Sequence, residues 1–431
     1  MGVRLTHPDY RAALDFLFAR TTGQWKLGLE RVEAFLAELG DPHRRLKVLH
    51  VAGTNGKGSV CASLDVMLRA QGLRVGKYTS PHLVDFRERF IVDGRRVEEG
   101  AIVEFLNRWT PTVDRLGATF FEATTAMAFQ LFADAEVDVA VIETGLGGRL
   151  DATNVVTPLV AGVTGIAIDH TEWLGTTREA IAPEKAGIYK RGVPAIVGEP
   201  DLAIRRLLAS EAARLGADPI RIVADEGRIE GIEVSASGTR FRWVHAGGDE
   251  AITTGIPGRH QANNAVVALT MLDALPDALK VPAARAVQAL ADVTLPGRFS
   301  RSGDWIFDVA HNPEGASVTA ETLAAIEPLR PVTALVSILG DKDWRRMLGA
   351  LAPVVDHLIL TNAPTAPASR AWDAPAVLAF ARGAGWPCEL IGDFDSALQA
   401  AGGRGGTVLV TGSFHTVGDA MSRLQVAPTP G

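Results

Sequence analysis

The stretch HVAGTNGKGSV, His50 to Val60, constrains the fold of this chain more than any other. The run LKVLHV before it is apolar and β-branched, as a strand is. CASLDVMLRAQG after it sets Ala62, Leu64, Val66, Met67, Leu68 and Ala70 at helical spacing before a glycine stop. Between strand and helix lie Gly53, Thr54, Asn55, Gly56, Lys57, Gly58 and Ser59. A glycine turn leading into a helix lines up backbone N–H groups at the positive end of the helix dipole, and a lysine adds a point charge, so the segment reads as a phosphate cradle. Its spacing is a variant of the P-loop: Gly53 stands three residues before Gly56, and Ser59 follows Lys57 only after Gly58. A tight helix-capping turn with a solvated Lys57 is the structural alternative.

A chain of 431 residues is too long for one ordinary core and implies two or three domains. With 47% apolar and 22% charged residues it has the composition of a soluble globular enzyme. The net charge is −7 and the densest basic cluster, HRRLK at 43–47, is short, so no nucleic-acid or anionic-membrane partner is expected. Cys61 and Cys388 lie far apart without metal-ligand spacing, which suits a reducing cytoplasm and not a disulfide framework. No apolar run reaches the roughly 18 residues of a membrane helix, and MGVRLTHPDY lacks the apolar core of a signal peptide. Met1-Gly2 with Thr6 formally fits a myristoylation pattern, read here as chance because no polybasic patch follows.

Along the chain, residues 8 to 40 read as two helices, with Leu14, Phe16, Leu17 and Phe18, then Val32, Phe35, Leu36 and Leu39, as apolar faces. TTGQWKLGLERV forms a glycine-broken loop between them. LRVGKYTSPHL is a strand ending in a Ser-Pro turn, and helices follow around 98–109 and 122–135. VDVAVIETGLGGRLDATN then delivers Glu143 at the end of an apolar strand, and TPLVAGVTGIAIDHTEWLG carries Asp169 and His170 into a loop. Polar residues at the ends of strands that alternate with helices indicate a parallel sheet with its ligands at the carboxyl edge. From 219 to 256, IRIVAD, RIEGIEVSA and TRFRWVHA look like antiparallel strands. HQANNAVVALTMLDAL reads as an amphipathic helix and LPGRFSR as a hinge. WIFDVAH, VTALVSILG, HLILTNA, CELIGD and TVLVTGS then begin a second alternation, and the tail APTPG should fray. The expected class is α/β. A P-loop parallel-sheet ATPase domain with a small antiparallel section occupies 1–296, and a smaller Rossmann-like α/β domain 297–431, with the boundary near Leu295 to Arg298.

Ser80, Glu143 and His170 follow apolar strands on the cradle's presumed edge, so they are candidates for the magnesium that accompanies a nucleotide. Glu143 is the strongest of them, because an ionised carboxylate ending a buried strand needs a cation. Lys185, beside Glu184, reads by composition as a helix-surface lysine. Asn264, Arg298 and Asp308 cluster around the hinge, where an arginine can bridge phosphates and an amide and a carboxylate can hold adenine and ribose. Asp308 and His311 can equally cap the helix that follows DVAHNPEGA.

Taken in order, GTNGKGS, YTSPHL with FRERF, FFEATT, ETGLGGRLDATN, IDHTEWLG, EKAGI, HQxxN, LPGRF, DVAHNP, GDKDW and TGSFHTVGDAM resemble folylpolyglutamate synthase and dihydrofolate synthase, members of the Mur ligase superfamily. The likeness runs from about Gly28 to Met421. It implies an ATP-dependent carbon–nitrogen ligase that joins glutamate to a pteroate or folate carboxylate through an acyl phosphate. By this resemblance Lys57 holds the β and γ phosphates, Ser59 binds one magnesium, and Ser80, Glu143 and His170 hold a second. Lys185 matches a lysine carbamylated by carbon dioxide. Asn264, chosen over Asn263 by the HQxxN spacing, binds nucleotide with Arg298 and Asp308, and His311 meets the phosphates. The pterin rests on Thr119, Phe120, Phe121 and Glu122 and on Leu150, Asp151 and Ala152, while Ser413 and His415 touch glutamate.

The resemblance leaves open whether the acceptor is dihydropteroate, a reduced folate or both, and it implies a monomer with small-molecule partners only. A peptidoglycan ligase needs a further N-terminal domain, and only about fifty residues precede the cradle here. A nucleotide switch has no use for FFEATT or a carbamylated lysine.

Overall fold

In the computed structural model, which describes residues 7–21 and 28–426, the apolar run Val48–Ala52 forms β1 with all five side chains buried. Seven more strands join its sheet: β2 (Val75–Tyr78), β3 (Phe90–Val92), β4 (Arg95–Arg96), β5 (Val139–Glu143), β6 (Val160–Val163), β7 (Ala195–Val197) and β8 (Ile220–Ile222). Their order is β4-β3-β2-β5-β1-β6-β7-β8, all running the same way except β3, which pairs antiparallel with both β2 and β4. Buried on both faces, β1 and β5 read as unbroken apolar runs. The chain leaves β1 for β2, returns through β5 to fill the gap, and then crosses to β6 on the other side. The strand order therefore reverses at β1, and a crevice opens above its carboxyl end.

A three-stranded antiparallel meander follows: β9 (Gly227–Ser235), β10 (Gly238–His245) and β11 (Gly248–Thr254). IRIVAD, expected in this section, divides instead between β8, which pairs parallel with β7, and a helical turn at Val223–Glu226. So short an apolar run carries no signal of its strand direction. The helix His260–Asp273 is buried almost all round rather than amphipathic, because it packs on the large sheet from one side and on the meander from the other.

The second alternation forms a separate sheet from β12 (Ser300–Ser302), β13 (Trp305–Asp308), β14 (Val332–Val336), β15 (His357–Leu360), β16 (Cys388–Leu390) and β17 (Thr407–Thr411), in the order β12-β13-β17-β14-β15-β16. Only β12, unanticipated in LPGRFSR, runs antiparallel. Apolar clusters cover both faces of this sheet, apart from those around the large one, so the chain is a mixed α/β protein with two lobes.

Details differ from the sequence reading. The helix expected to end near 109 runs from Glu99 through Pro111 to Leu116. Phe18 faces outward and stacks on Phe120 at 5.7 Å. TTGQWKLGLERV lies partly outside the described residues, and its last three residues open the helix Glu30–Glu38. The myristoylation pattern and the tail APTPG lie outside them too.

Gly76 in β2 sets the approach of the helix Phe120–Asp134: a Cβ there would lie 2.8 Å from the fully buried Phe132 ring. A ring held on all sides cannot yield, so Gly76→Ala should lower unfolding free energy by about 1–3 kcal/mol in urea denaturation.

Candidate active site

The cradle spans the gap between the end of β1 at Ala52 and the helix Lys57–Ala70. Gly53 adopts φ +148°, and a Cβ on it would lie 1.8 Å from Thr164 Oγ1; Gly56, at φ +94°, would meet Asn264 Oδ1 at 2.5 Å. Only glycine satisfies both demands at either place. The segment 164–167 splints the first half of the turn. Gly165 O accepts from Thr54 N at 2.8 Å and Asn55 N at 3.3 Å, Thr164 Oγ1 donates to Asn55 O at 2.7 Å, and Thr54 Oγ1 donates to Ala167 O at 3.1 Å. With those N–H groups engaged and no side chain capping the helix at Gly56, the donors left for an anion are the first-turn N–H groups from Lys57 onward. Lys57 Nζ folds back to Gly53 O at 3.0 Å and Thr54 O at 3.2 Å. Ser59 is buried in the first turn, and Gly58 lies against Leu295.

Glu143, at the end of β5, is 5% exposed; its Oε2 accepts from Ser80 N at 3.3 Å and its Oε1 lies 3.9 Å from Lys57 Nζ. Burial raises its pKa, and Lys57, Ser80 N and Arg298 oppose the rise. Lys185 is not the surface lysine that composition suggested. It is 5% exposed and donates to Gly53 O at 2.8 Å, while the adjacent Glu184 turns out to pair with Arg149 at 3.0 Å. Burial, and then the charge of Lys57, depress the Lys185 pKa to about 7. His170 follows β6 in a left-handed conformation, φ +51°, and desolvation by the cleft walls lowers its pKa to about 4, so it stands neutral. Among the described residues no three His, Cys, Asp or Glu side chains group as a metal site. A hard dication that keeps phosphate and water ligands needs few protein donors, however. A buried carboxylate with only a distant ammonium beside it, a hydroxyl and a neutral imidazole on one cleft wall fit such an ion.

The second lobe supplies the opposite wall. Arg298 lies over the Phe414 ring at 5.5 Å, and both line one pocket with Lys57, Glu143, Lys185 and His311. Asp169, which the sequence reading carried into a loop beside His170 without giving it a role, joins the lobes together with Lys342 and Asn312, which it did not single out. Asp169 pairs with Lys342 and, at 3.3 Å, with His311, and Asn312 Nδ2 donates to Asn55 Oδ1 at 3.1 Å. Burial works to raise the Asp169 pKa, but His311, His170 and Lys342 hold it well below the usual carboxylate range. The signal lay inside IDHTEW, GDKDW and DVAHNP, where a buried acid and its cations are far apart in sequence.

Other expected residues stand elsewhere. Asn264 backs Gly56, whereas Asn263 donates to Gly198 O at 2.8 Å. Asp308 accepts from Phe299 N, Ala310 N and Thr319 Oγ1, and the following helix is capped by Asn312, not by Asp308 or His311. Ser413 is buried, with its hydroxyl committed to Thr416 as a helix cap, which corrects its expected contact with substrate; Phe414 is the residue that reaches the pocket. His415 bonds Thr365 at 3.1 Å.

On the third side, Thr119 and Glu122 form a capping box, and Glu122 pairs with Arg31 at 2.9 Å. Asp151 accepts from Gly145 N, Leu146 N and Thr153, so its carboxylate staples the glycine loop after Glu143 instead of standing free for a pterin. Leu150 stays half-buried and Ala152 is buried beside it. Phe120 joins Phe18, Phe86 and Arg89 in an aromatic patch, and the Phe121 ring sits where a Cβ on Gly145 would be, 2.3 Å away.

Residues 51–272 match the Mur ligase middle domain, and 297–414 match the Mur ligase glutamate ligase domain. Fold and cleft together thus define an ATP-dependent ligase of the Mur class. The dihydrofolate synthase/folylpolyglutamate synthase of Escherichia coli strain K12 is 38% identical over 408 residues, 94% of this chain and 93% of its own. Escherichia coli FolC in complex with DHPP and ADP superposes with a TM-score of 0.85 at 35% identity, covering 97% of this chain and 98% of its own. A bifunctional folylpolyglutamate synthase/dihydrofolate synthase with Mn, AMPPNP and L-glutamate bound gives 0.84 at 34%, covering 99% and 100%. The chain belongs to the dihydrofolate synthase/folylpolyglutamate synthase family.

A methyl group at Gly53 collides with the splint. Gly53→Ala should weaken ADP–magnesium binding by about 100-fold or more in calorimetric titration, while the far-ultraviolet circular dichroism of the free protein stays unchanged.

Proposed function

We propose that this chain is an ATP-dependent carbon–nitrogen ligase that adds L-glutamate to dihydropteroate, to reduced folates, or to both, through an acyl phosphate. One observation carries the reading: a single cleft holds the cradle, the buried Glu143 and the buried Lys185 from one lobe, and Arg298 and His311 from the other. Relatives described with ADP, DHPP, manganese and glutamate support it.

A carboxylate is a poor electrophile, so forming an amide requires prior phosphorylation, a step catalysed mainly by positioning and charge neutralisation. The first-turn N–H groups and Lys57 hold the β and γ phosphates; Lys57 reaches them by leaving the Gly53 and Thr54 carbonyls. Arg298 and His311 meet the same charge from across the cleft, with Asn264 and Asp308 on the nucleotide side. Ser80, Glu143 and His170 would hold a magnesium ion and Ser59 a second, and the metal would supply charge neutralisation for the phosphoryl transfer. The acceptor carboxylate, oriented with its ring system on the Phe120–Phe121 side, attacks the γ-phosphorus, and the bond to the β–γ bridging oxygen breaks as ADP leaves. The glutamate amine, entering between the lobes toward His415, then attacks the acyl carbon, and phosphate leaves. The two walls keep water from the mixed anhydride.

The reading includes a boundary between the units at Leu295 to Arg298, action as a monomer and a cytoplasmic location. No helix among the described residues is long and apolar enough to cross a membrane.

ATP-dependent incorporation of labelled glutamate, with dihydropteroate and tetrahydrofolate compared as acceptors, tests the function. Lys57→Ala and Glu143→Ala should each abolish incorporation with the fold intact, and near-normal turnover of either would discredit the site.

We also read Lys185 as carbamylated. Only a neutral amine attacks carbon dioxide, and burial that brings the pKa to about 7 supplies that form at neutral pH. The neutral fraction grows as pH rises through 7, so at a fixed concentration of dissolved carbon dioxide the reactivation of carbon-dioxide-depleted enzyme should speed up over that interval. Lys185→Ala should be impaired and partly restored by short carboxylates, and an unimpaired variant would refute the assignment.

A further inference from the structure

Outside the pocket that holds Lys57 and Glu143, with its arginine lining the adjoining cleft of Asp169, His170 and Asn312, lies an ion pair with no role in the steps above. Glu199 is 2% exposed, and its Oε1 accepts from Arg178 Nη2 at 2.8 Å and from Asp201 N at 2.9 Å. The pair grips one residue at both of its backbone groups: Ile166 N donates to Glu199 Oε2 at 2.6 Å, and Arg178 Nε donates to Ile166 O at 2.7 Å. Ile166 adjoins Gly165, whose carbonyl accepts from Thr54 N and Asn55 N, and Ala167, whose carbonyl accepts from the Thr54 hydroxyl. Three residues further on, the same segment presents Asp169 to Lys342 and His311 of the other lobe.

We infer that Arg178 and Glu199 are positioning residues for nucleotide binding, a clamp on Ile166 that fixes the splint against which the cradle is built. The inference rests on reading the cradle as the nucleotide site. A residue held at both its N–H and its C=O by a charge-assisted pair cannot turn either adjoining peptide without breaking one of the bonds, and removing the arginine leaves the buried carboxylate without its charge partner. Loosening the clamp frees Gly165 to turn, and Thr54 and Asn55 turn with it. The site for phosphate then has to be rebuilt by the ligand at each binding event, so affinity is lost before chemistry is.

The test measures ADP–magnesium binding by calorimetry, KM for ATP and kcat in the ligase assay, and the melting temperature, for Arg178→Ala, Glu199→Ala and the isosteric Glu199→Gln. Each alanine variant should bind ADP about tenfold more weakly and raise KM for ATP in proportion, with kcat changed less. Glu199→Gln, which keeps an acceptor for Ile166 N, should fall between them and the unaltered protein. The double variant should be no weaker than the worse single one, because the two residues act as one unit. A fall in melting temperature with unchanged KM and ADP affinity would overturn the inference, leaving a purely structural pair. Weakening by Arg178→Ala alone would overturn it too, by making the arginine a ligand contact. Failure of the unaltered protein to bind ADP would instead refute the nucleotide reading of the cradle.

Discussion

Two lysines converge on one peptide oxygen. Lys57 and Lys185 both donate to Gly53 O, at 3.0 and 2.8 Å, inside a wall where Glu143 is the nearest carboxylate to Lys57. Two ammonium groups at such separation repel, and this repulsion adds to burial, the larger cause, in depressing the Lys185 pKa. The fold around it exists to keep these groups in place: β1 carries the carbonyl, β5 the carboxylate, and the helix Arg178–Ala186 the second lysine.

The second lobe enters through the same electrostatics. Asp169, an acid of the first lobe, is held ionised by His311 and Lys342 of the other, and Asn312 reaches the cradle residue Asn55 directly. The lobes are thus joined through these polar contacts and through Leu83 of the first lobe, which packs against the apolar core of the second. Lobes joined in this way can separate and return while each keeps its own core.

Much of this was legible in the chain. Strands buried on both faces write themselves as apolar runs, and positive-φ glycines beside a lysine write a cradle, so β1, β5, β6 and the five parallel strands of the second sheet stood where the residues suggested. Lys185 was legible only through the resemblance. A lysine beside a glutamate on a short helix looks solvated, yet the loop after Glu143 packs so closely on this helix that a Cβ on Gly148 would lie 2.7 Å from the Lys185 carbonyl oxygen. Long-range close approach leaves no local pattern. The same holds for Asp151 and Ser413, whose polar groups turned inward to bind backbone N–H groups of their own turns. Local sequence does not say whether a side chain near a site serves the ligand or the loop.

The helix His260–Asp273 offers no face to solvent, and its Asn264 touches the turn at Gly56. Wedged between a parallel sheet and a meander, it makes the floor of the crevice a fixed anvil. With the floor held in this way, any widening of the crevice falls to the second lobe, which carries none of the phosphate loop.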